Sequence, residues 1–145
     1  MTENATSRCA LTVILSGNGS NLQAIIDQSD KRGYQVVHVI SNNAGAFGLE
    51  RARRAGIDCS VVNHRDFRCR PDFDAALAAA IDSHQPEGIA LAGFMRILGK
   101  EFVQRYQGRL FNIHPSLLPK FRGMDTHRRA LESGETEHGA SVHFV

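Results

Sequence analysis

The sequence lacks several things, and each shortage closes off a class of protein. No apolar run approaches the length of a membrane-spanning helix, and the opening MTENATSR has no apolar segment of the kind a secretory leader carries. Neither sign of charge is in excess: 17 Lys and Arg stand against 15 Asp and Glu, for a net charge of +2. Charge alone therefore gives no footing to a nucleic-acid partner. No run of like charge forms a basic tail; Arg51, Arg53 and Arg54 fall together on one short helical stretch. Cysteine is scarce. Cys9, Cys59 and Cys69 are odd in number and show no metal-ligand spacing, which favours free thiols in a reducing compartment. Internal repeats, low-complexity tracts and linkers are also missing. What remains is 145 residues, 42% of them apolar, enough for one domain with a real core. These shortages predict a cytoplasmic protein with neither membrane nor nucleic acid as partner.

Apolar patterning predicts strands alternating with helices. Ala10 to Leu15 is a short apolar run, then SGNGSN, then Leu22, Ile25 and Ile26 at helical spacing. Tyr34 to Ser41 is rich in β-branched residues, as suits a parallel strand covered on both faces. Phe47 to Ala55 reads as a helix ended by Gly56, and Cys59 to Val62 as a short strand. Pro71 can open a helix whose inner face carries Phe73, Ala76, Leu77, Ala80 and Ile81. Ile89 to Ala92 is a strand ended by Gly93. Leu98 to Tyr106 reads as a helix, and Leu110 to His114 as a strand. Thr126 to Ser133 reads as a helix, and Ala140 to Val145 as a last strand. The expected fold is α/β: a Rossmann-like open, mostly parallel sheet with helices on both faces.

Two loops and one strand end carry the candidate chemistry. The turn Ser16-Gly17-Asn18-Gly19-Ser20-Asn21 opens a helix, where backbone N–H groups and the helix dipole favour an anion. It lacks the third glycine of a dinucleotide fingerprint and the Gly-Lys-Ser/Thr of a P-loop. A site for one phosphate at Gly19, Ser20 and Asn21 and a plain capping box from Ser20 to Gln23 stand level on this pattern. The loop AGFMRIL, residues 92–98, could cradle a flat heterocycle, although packing of Phe94 and Ile97 explains it more simply. Arg70 precedes Pro71 at a helix start and could meet an anion, although solvation is the commoner fate of a lone Arg. His127, His138 and His143 make no convincing metal set with a carboxylate. Ser116 lacks the G-x-S-x-G elbow of a hydrolase and reads as a turn hydroxyl.

LFNIHPSLLPKFRG, residues 110–123, is the most informative stretch. Asn112 and His114 lie two apart on an extended strand, so both can face one cavity while Ile113 turns inward. Pro115 and Pro119 stiffen the exit. An amide that can stabilise an oxyanion beside an imidazole that can move a proton suits acyl transfer. As a bare N-x-H the pattern would mean little; the longer NIHPSLLP is far less common by chance.

Taken together, SGNGSNLQAII, SNNAGAFGLERA, LAGFMRIL, NIHPSLLP and GASVHFV occur in the order and spacing of the glycinamide ribonucleotide formyltransferases. Nearly all of the chain resembles this folate-dependent family of purine synthesis, as one formyltransferase domain spanning its N-terminal and central parts. The resemblance implies that Asn112 and His114 are catalytic and that Gly19, Ser20 and Asn21 bind phosphoribosylglycinamide. It implies that Arg70, Met95, Arg96, Ile97, Leu98 and Asn112 contact 10-formyltetrahydrofolate, the co-substrate, with no metal. It further implies small-molecule partners and a monomer or homodimer. The family pattern continues into a DG-containing loop with a catalytic aspartate, which lies beyond Val145, so the chain is expected to be C-terminally incomplete and defective alone. Methionyl-tRNA formyltransferases and formyltetrahydrofolate deformylases share the Asn-x-His strand, but SGNGSN argues against both. A non-catalytic module that keeps the two pockets is the remaining alternative.

Overall fold

The computed structural model describes residues 8–114 and 141–145. Its elements alternate as β1 (Cys9–Leu15), α1 (Ser20–Arg32), β2 (Tyr34–Ser41), α2 (Phe47–Arg54), β3 (Asp58–Val61), α3 (Arg70–Asp82), β4 (Gly88–Ala92), α4 (Lys100–Arg105), β5 (Leu110–His114) and β6 (Ser141–Phe144), with a 3₁₀ turn at His64–Asp66. The strands form one sheet in the order β3-β2-β1-β4-β5-β6. β1 to β5 are parallel; β6 runs antiparallel to β5, pairing Phe111 with Phe144 and His114 with Ser141. The expected α/β, mostly parallel sheet is therefore present. The expected helix at Thr126 to Ser133, the Ser116 turn and the proline-stiffened exit lie outside the described residues.

Alternation along each strand splits the core into two layers. Leu11, Val13 and Leu15 face α1 and α2, packing with Leu22, Leu49 and Ala52. Ile14, Ile40, Ile89, Leu91 and Leu110 face α3 and α4, packing with Phe73, Leu77, Ile81, Phe102 and Tyr106. Residues such as Val13, Ile14, Val39 and Ile40 are fully excluded from solvent. Coverage on both faces explains why these strands read as continuous apolar runs rather than alternating ones. Tyr106 is buried, and its hydroxyl donates to Asp82 Oδ1 at 2.8 Å, tying the end of α4 to the end of α3. Asp82 is also ion-paired with Arg105.

Two helix starts differ from the sequence reading. α4 is shorter than Leu98 to Tyr106, because Gly99 is extended at φ −73°, ψ 164° and serves as its N-cap. α3 starts at Arg70, with Pro71 in its first turn, where the missing N–H costs nothing. Among the described residues no helix is long and apolar enough to cross a membrane.

Candidate active site

Strand order reverses between β1 and β4. The chain lays down β1, β2 and β3 in one direction, then returns to place β4 and β5 on the other side of β1. In open α/β sheets a crevice forms outside the carboxyl ends of the strands at such a point. Here the crevice floor is Ser16, after β1, and Gly93, after β4. The Ser16 N–H donates to Gly93 O at 3.1 Å, and Gly93 turns the chain with φ +76°.

The glycine turn sits on the α1 side of this crevice. Gly19 is left-handed, at φ 82°, and is itself the N-cap of α1; no side chain caps the helix. Ser20 is thus the first helical residue, and the capping box is not formed. Gln23 N–H donates to Gly19 O instead, while the Gln23 side chain is engaged with Asp27 and Arg51. The first-turn N–H groups therefore have no side-chain cap, which leaves them open to another acceptor. The turn is held from outside by α2. Gly17 O accepts from Gly48 N at 3.1 Å. Arg51 reaches back, with Nε to Asn18 O at 2.8 Å and Nη2 to Asn18 Oδ1 at 2.6 Å. The guanidinium also lies 5.0 Å from the centre of the Phe47 ring. Arg51 therefore both fixes the turn and adds positive charge beside it.

The loop after β4 is the second wall. Met95 and Ile97 are 63% and 78% exposed, while Phe94 and Leu98 tuck against the α3–α4 layer of the core. Exposed aliphatic side chains on a loop rim offer a surface for a flat, apolar ring. Arg70, at the start of α3, approaches the far end of the same loop: its Cδ would lie 3.9 Å from a Cβ built on Gly99. Between them sits Asp74, nine-tenths buried, whose Oδ2 accepts the Gly99 N–H at 2.9 Å.

Asn112 is placed by register. Ile89 pairs with Leu110 and Leu91 with Asn112, so Asn112 shares the α3–α4 side of the sheet with Leu91. It is half-buried there, while Ile113 packs on the opposite layer, as the two-residue period predicts. β6 brings His143 into register with Asn112. The backbone of His114 closes β5; its side chain, like that of His143, lies outside what the structure describes.

The predicted residues are not all gathered in one hollow. Met95 and Arg96 line a cleft of about 340 Å³ together with Ser16, Asn42, Asn43, Asn63, His64 and Arg65. Arg70 lines a separate one of about 780 Å³ between α3 and α4, with Asp74, Gly99, Lys100 and Arg105. Neither is lined by Gly19, Ser20, Asn21 or Asn112. Four contributors escape the sequence reading. Arg51 reads there as one of three arginines on a short helical stretch. Asp74 sits between apolar Phe73 and Leu77, and a carboxylate inside that inward pattern was the available signal. Ser16 and Asn42 join through contacts between distant loops that no local pattern announces. Among the described residues no group of three His, Cys, Asp or Glu side chains could hold a metal ion.

Comparison with known proteins gives a consistent answer. The sequence profile of the family described as Formyl transferase matches residues 10–145. The chain is 56% identical over 137 residues to phosphoribosylglycinamide formyltransferase of Escherichia coli, covering 93% of the chain and 65% of that relative. It is 46% identical over 140 residues to the human trifunctional purine biosynthetic protein adenosine-3, covering 95% of the chain and 14% of that protein. Among solved structures, phosphoribosylglycinamide formyltransferase of Coxiella burnetii superposes with a TM-score of 0.89 at 52% identity, over 95% of this chain and 66% of that one. The chain thus spans about two thirds of the length of its single-function bacterial relatives.

Proposed function

The chain belongs to the formyl transferase family, and on that footing we propose that the protein it comes from transfers a formyl group from 10-formyltetrahydrofolate to the amine of 5-phosphoribosylglycinamide, in de novo purine biosynthesis. The names of its relatives support the acceptor, the formyl group and the purine context. The placement of Asn112 at the carboxyl end of β5, on the side of the sheet shared with α3 and the Leu98 end of the folate loop, carries the chemistry.

The reaction is direct acyl transfer. The amine nitrogen attacks the formyl carbon, the new C–N bond forms, and the carbonyl electrons move to oxygen. The Asn112 amide N–H and a protonated His114 stabilise that oxyanion. A proton passes from the attacking nitrogen to N10 of the folate, the bond from carbon to N10 breaks, and tetrahydrofolate leaves. Each preorganised donor contributes roughly 10²–10³ in rate. Neither a covalent enzyme intermediate nor a metal enters the scheme.

Gly19, Ser20 and Asn21 hold the ribose phosphate at the start of α1, with Arg51 adding charge. Met95, Ile97 and Leu98 receive the pterin and benzoyl rings, and Arg70 and Arg96 meet the folate carboxylates. The protein acts in the cytoplasm on these two small molecules, as a monomer or homodimer.

The test is formyl transfer to phosphoribosylglycinamide by the full-length protein and its Asn112→Ala variant, read as tetrahydrofolate released. A kcat lowered by roughly 10²–10³ with melting temperature unchanged is the expected result. Near wild-type turnover would remove Asn112 from the reaction. Transfer by the wild type to another amine in preference to phosphoribosylglycinamide would overturn the substrate.

A further inference from the structure

We propose that Ser16 and Asn42, braced by His64, are positioning residues: they form a hydrogen-bonded chain across four adjacent strand ends that sets the height of the loop carrying Met95. The proposal rests on that loop being the folate-binding wall, and it concerns residues that line the crevice but have no assigned part in binding or reaction.

The chain can be followed atom by atom. The Met95 N–H donates to Ser16 Oγ at 2.9 Å. The Ser16 hydroxyl donates to Asn42 Oδ1 at 2.7 Å. Asn42 Nδ2 lies 3.1 Å from His64 Nδ1. Met95 follows β4, Ser16 follows β1, Asn42 follows β2, and His64 follows β3. The sheet places those strands side by side in the order β3-β2-β1-β4. One residue from each strand end thus joins a single line across the crevice.

The donors and acceptors fit together in one consistent arrangement. Ser16 Oγ accepts from the Met95 N–H, and its own hydrogen is directed to Asn42 Oδ1. The Asn42 carbonyl accepts that hydrogen, so its amide nitrogen faces His64. His64 Nδ1 must then present a lone pair, with the ring hydrogen on Nε2. Asn42 is 5% exposed, so an unpaired amide there would be costly and the orientation is strongly held. A second bond, from Ser16 N–H to Gly93 O, pins the loop at its base. Ser16 therefore grips the chain after β4 at both Gly93 and Met95.

Two consequences follow. The Met95 N–H is occupied and is not a donor to a bound ring. Moreover, the exposed side chains of Met95 and Ile97 ride on a loop whose position depends on a hydroxyl from β1 and an amide from β2. Removing either leaves the reacting groups in place and lets the folate wall drift.

The experiment compares full-length wild type, Ser16→Ala, Ser16→Thr and Asn42→Leu in two measurements. The first is amide hydrogen exchange at Met95. Exchange should accelerate at least tenfold in Ser16→Ala and Asn42→Leu, and return towards wild type in Ser16→Thr, which keeps the hydroxyl. The second is steady-state kinetics. KM for 10-formyltetrahydrofolate should rise about tenfold in Ser16→Ala and Asn42→Leu. KM for phosphoribosylglycinamide should stay within twofold and kcat within threefold, with Ser16→Thr restored. Unchanged exchange at Met95 overturns the chain. Faster exchange without a folate-selective KM change overturns its positioning role, as does an equal rise in both KM values. Failure of the wild type to use the folate would instead count against the assigned reaction, and the exchange result would still decide whether the chain holds the loop.

Discussion

Gly19 and Gly48 meet backbone to backbone: a Cβ built on Gly19 would lie 2.6 Å from Gly48 Cα. This contact lets the start of α1 settle against the start of α2, and it makes glycine at position 19 a packing requirement in its own right. Gly48 is less firmly constrained: a Cβ there would lie 2.5 Å from Leu15 Cδ2, the end of a side chain, and 3.3 Å from Gly19 Cα. Gly19→Ala combines a side chain at φ 82° with collision against fixed backbone. We expect a stability loss of roughly 2–4 kcal/mol, read from urea unfolding. A substitution at Gly19 therefore cannot report cleanly on phosphate. Ser20→Ala and Asn21→Ala can: both should raise KM for phosphoribosylglycinamide with melting temperature unchanged. Equal effects on both substrates would count against a phosphate site at this turn.

The rim of the loop after β4 offers a second check. Ile97 is 78% exposed, so Ile97→Asn should alter stability by less than about 0.5 kcal/mol. If its side chain is covered by the bound ring, lost burial of about 1.5 kcal/mol corresponds to a roughly tenfold higher KM for the folate. An unchanged folate KM would place the ring elsewhere.

A histidine pair remote from the crevice makes stability depend on pH. His38 is 1% exposed, stacks on His84 with ring centres 3.9 Å apart, and has Nε2 2.7 Å from Ser60 Oγ. Its Nδ1 has no hydrogen-bond partner among the described residues. Burial first, and the neighbouring His84 second, push its pKa down to about 4, against a smaller opposing pull from Asp58. The unfolded chain therefore binds a proton near pH 6.5 that the folded chain refuses until about pH 4. Stability from this group is complete above pH 6.5 and falls as pH drops through that window, by at most about 3 kcal/mol. Urea unfolding of wild type and His38→Gln at pH 7.5, 6 and 5 should show a shallower decline in the variant. Parallel declines would assign the titration to other groups.

Much of the fold was legible because its strands are buried on both faces and end in glycine or polar breaks. Tyr34 to Ser41 was read to the residue, and β1, β3 and β4 to within one. The placement of Asn112 and Ile113 on opposite layers followed from the two-residue period of a strand. The direction of β6 did not follow, since an apolar run carries no mark of which way it will lie beside its neighbour. The start of α4 is read two residues early, at Leu98, because Leu98 keeps helical spacing with Phe102, while the extended backbone of Gly99 starts the helix at Lys100. Asp74 and Arg51 were missed for a shared reason. Their roles are set by backbone groups 25 and 33 residues away, the Gly99 N–H and the Asn18 carbonyl.

The reversal of strand order also sets a timetable for folding. Leu11 of β1 meets Val36 on one edge and Gly88 on the other. The first pairing needs only the nearest loop to close; the second needs everything through α3 to have been synthesised. Made from its N-terminus, the chain can assemble β1, β2 and β3 with α1 and α2 as a half-sheet whose β1 edge stays bare until β4 arrives. Closing that long loop is the slow, non-local step. It is also the step that seats Gly93 beneath Ser16. A nascent chain halted before residue 88 would expose an unsatisfied central strand to any other copy nearby. A released fragment ending before residue 88 should therefore aggregate more than one ending just after Ala92.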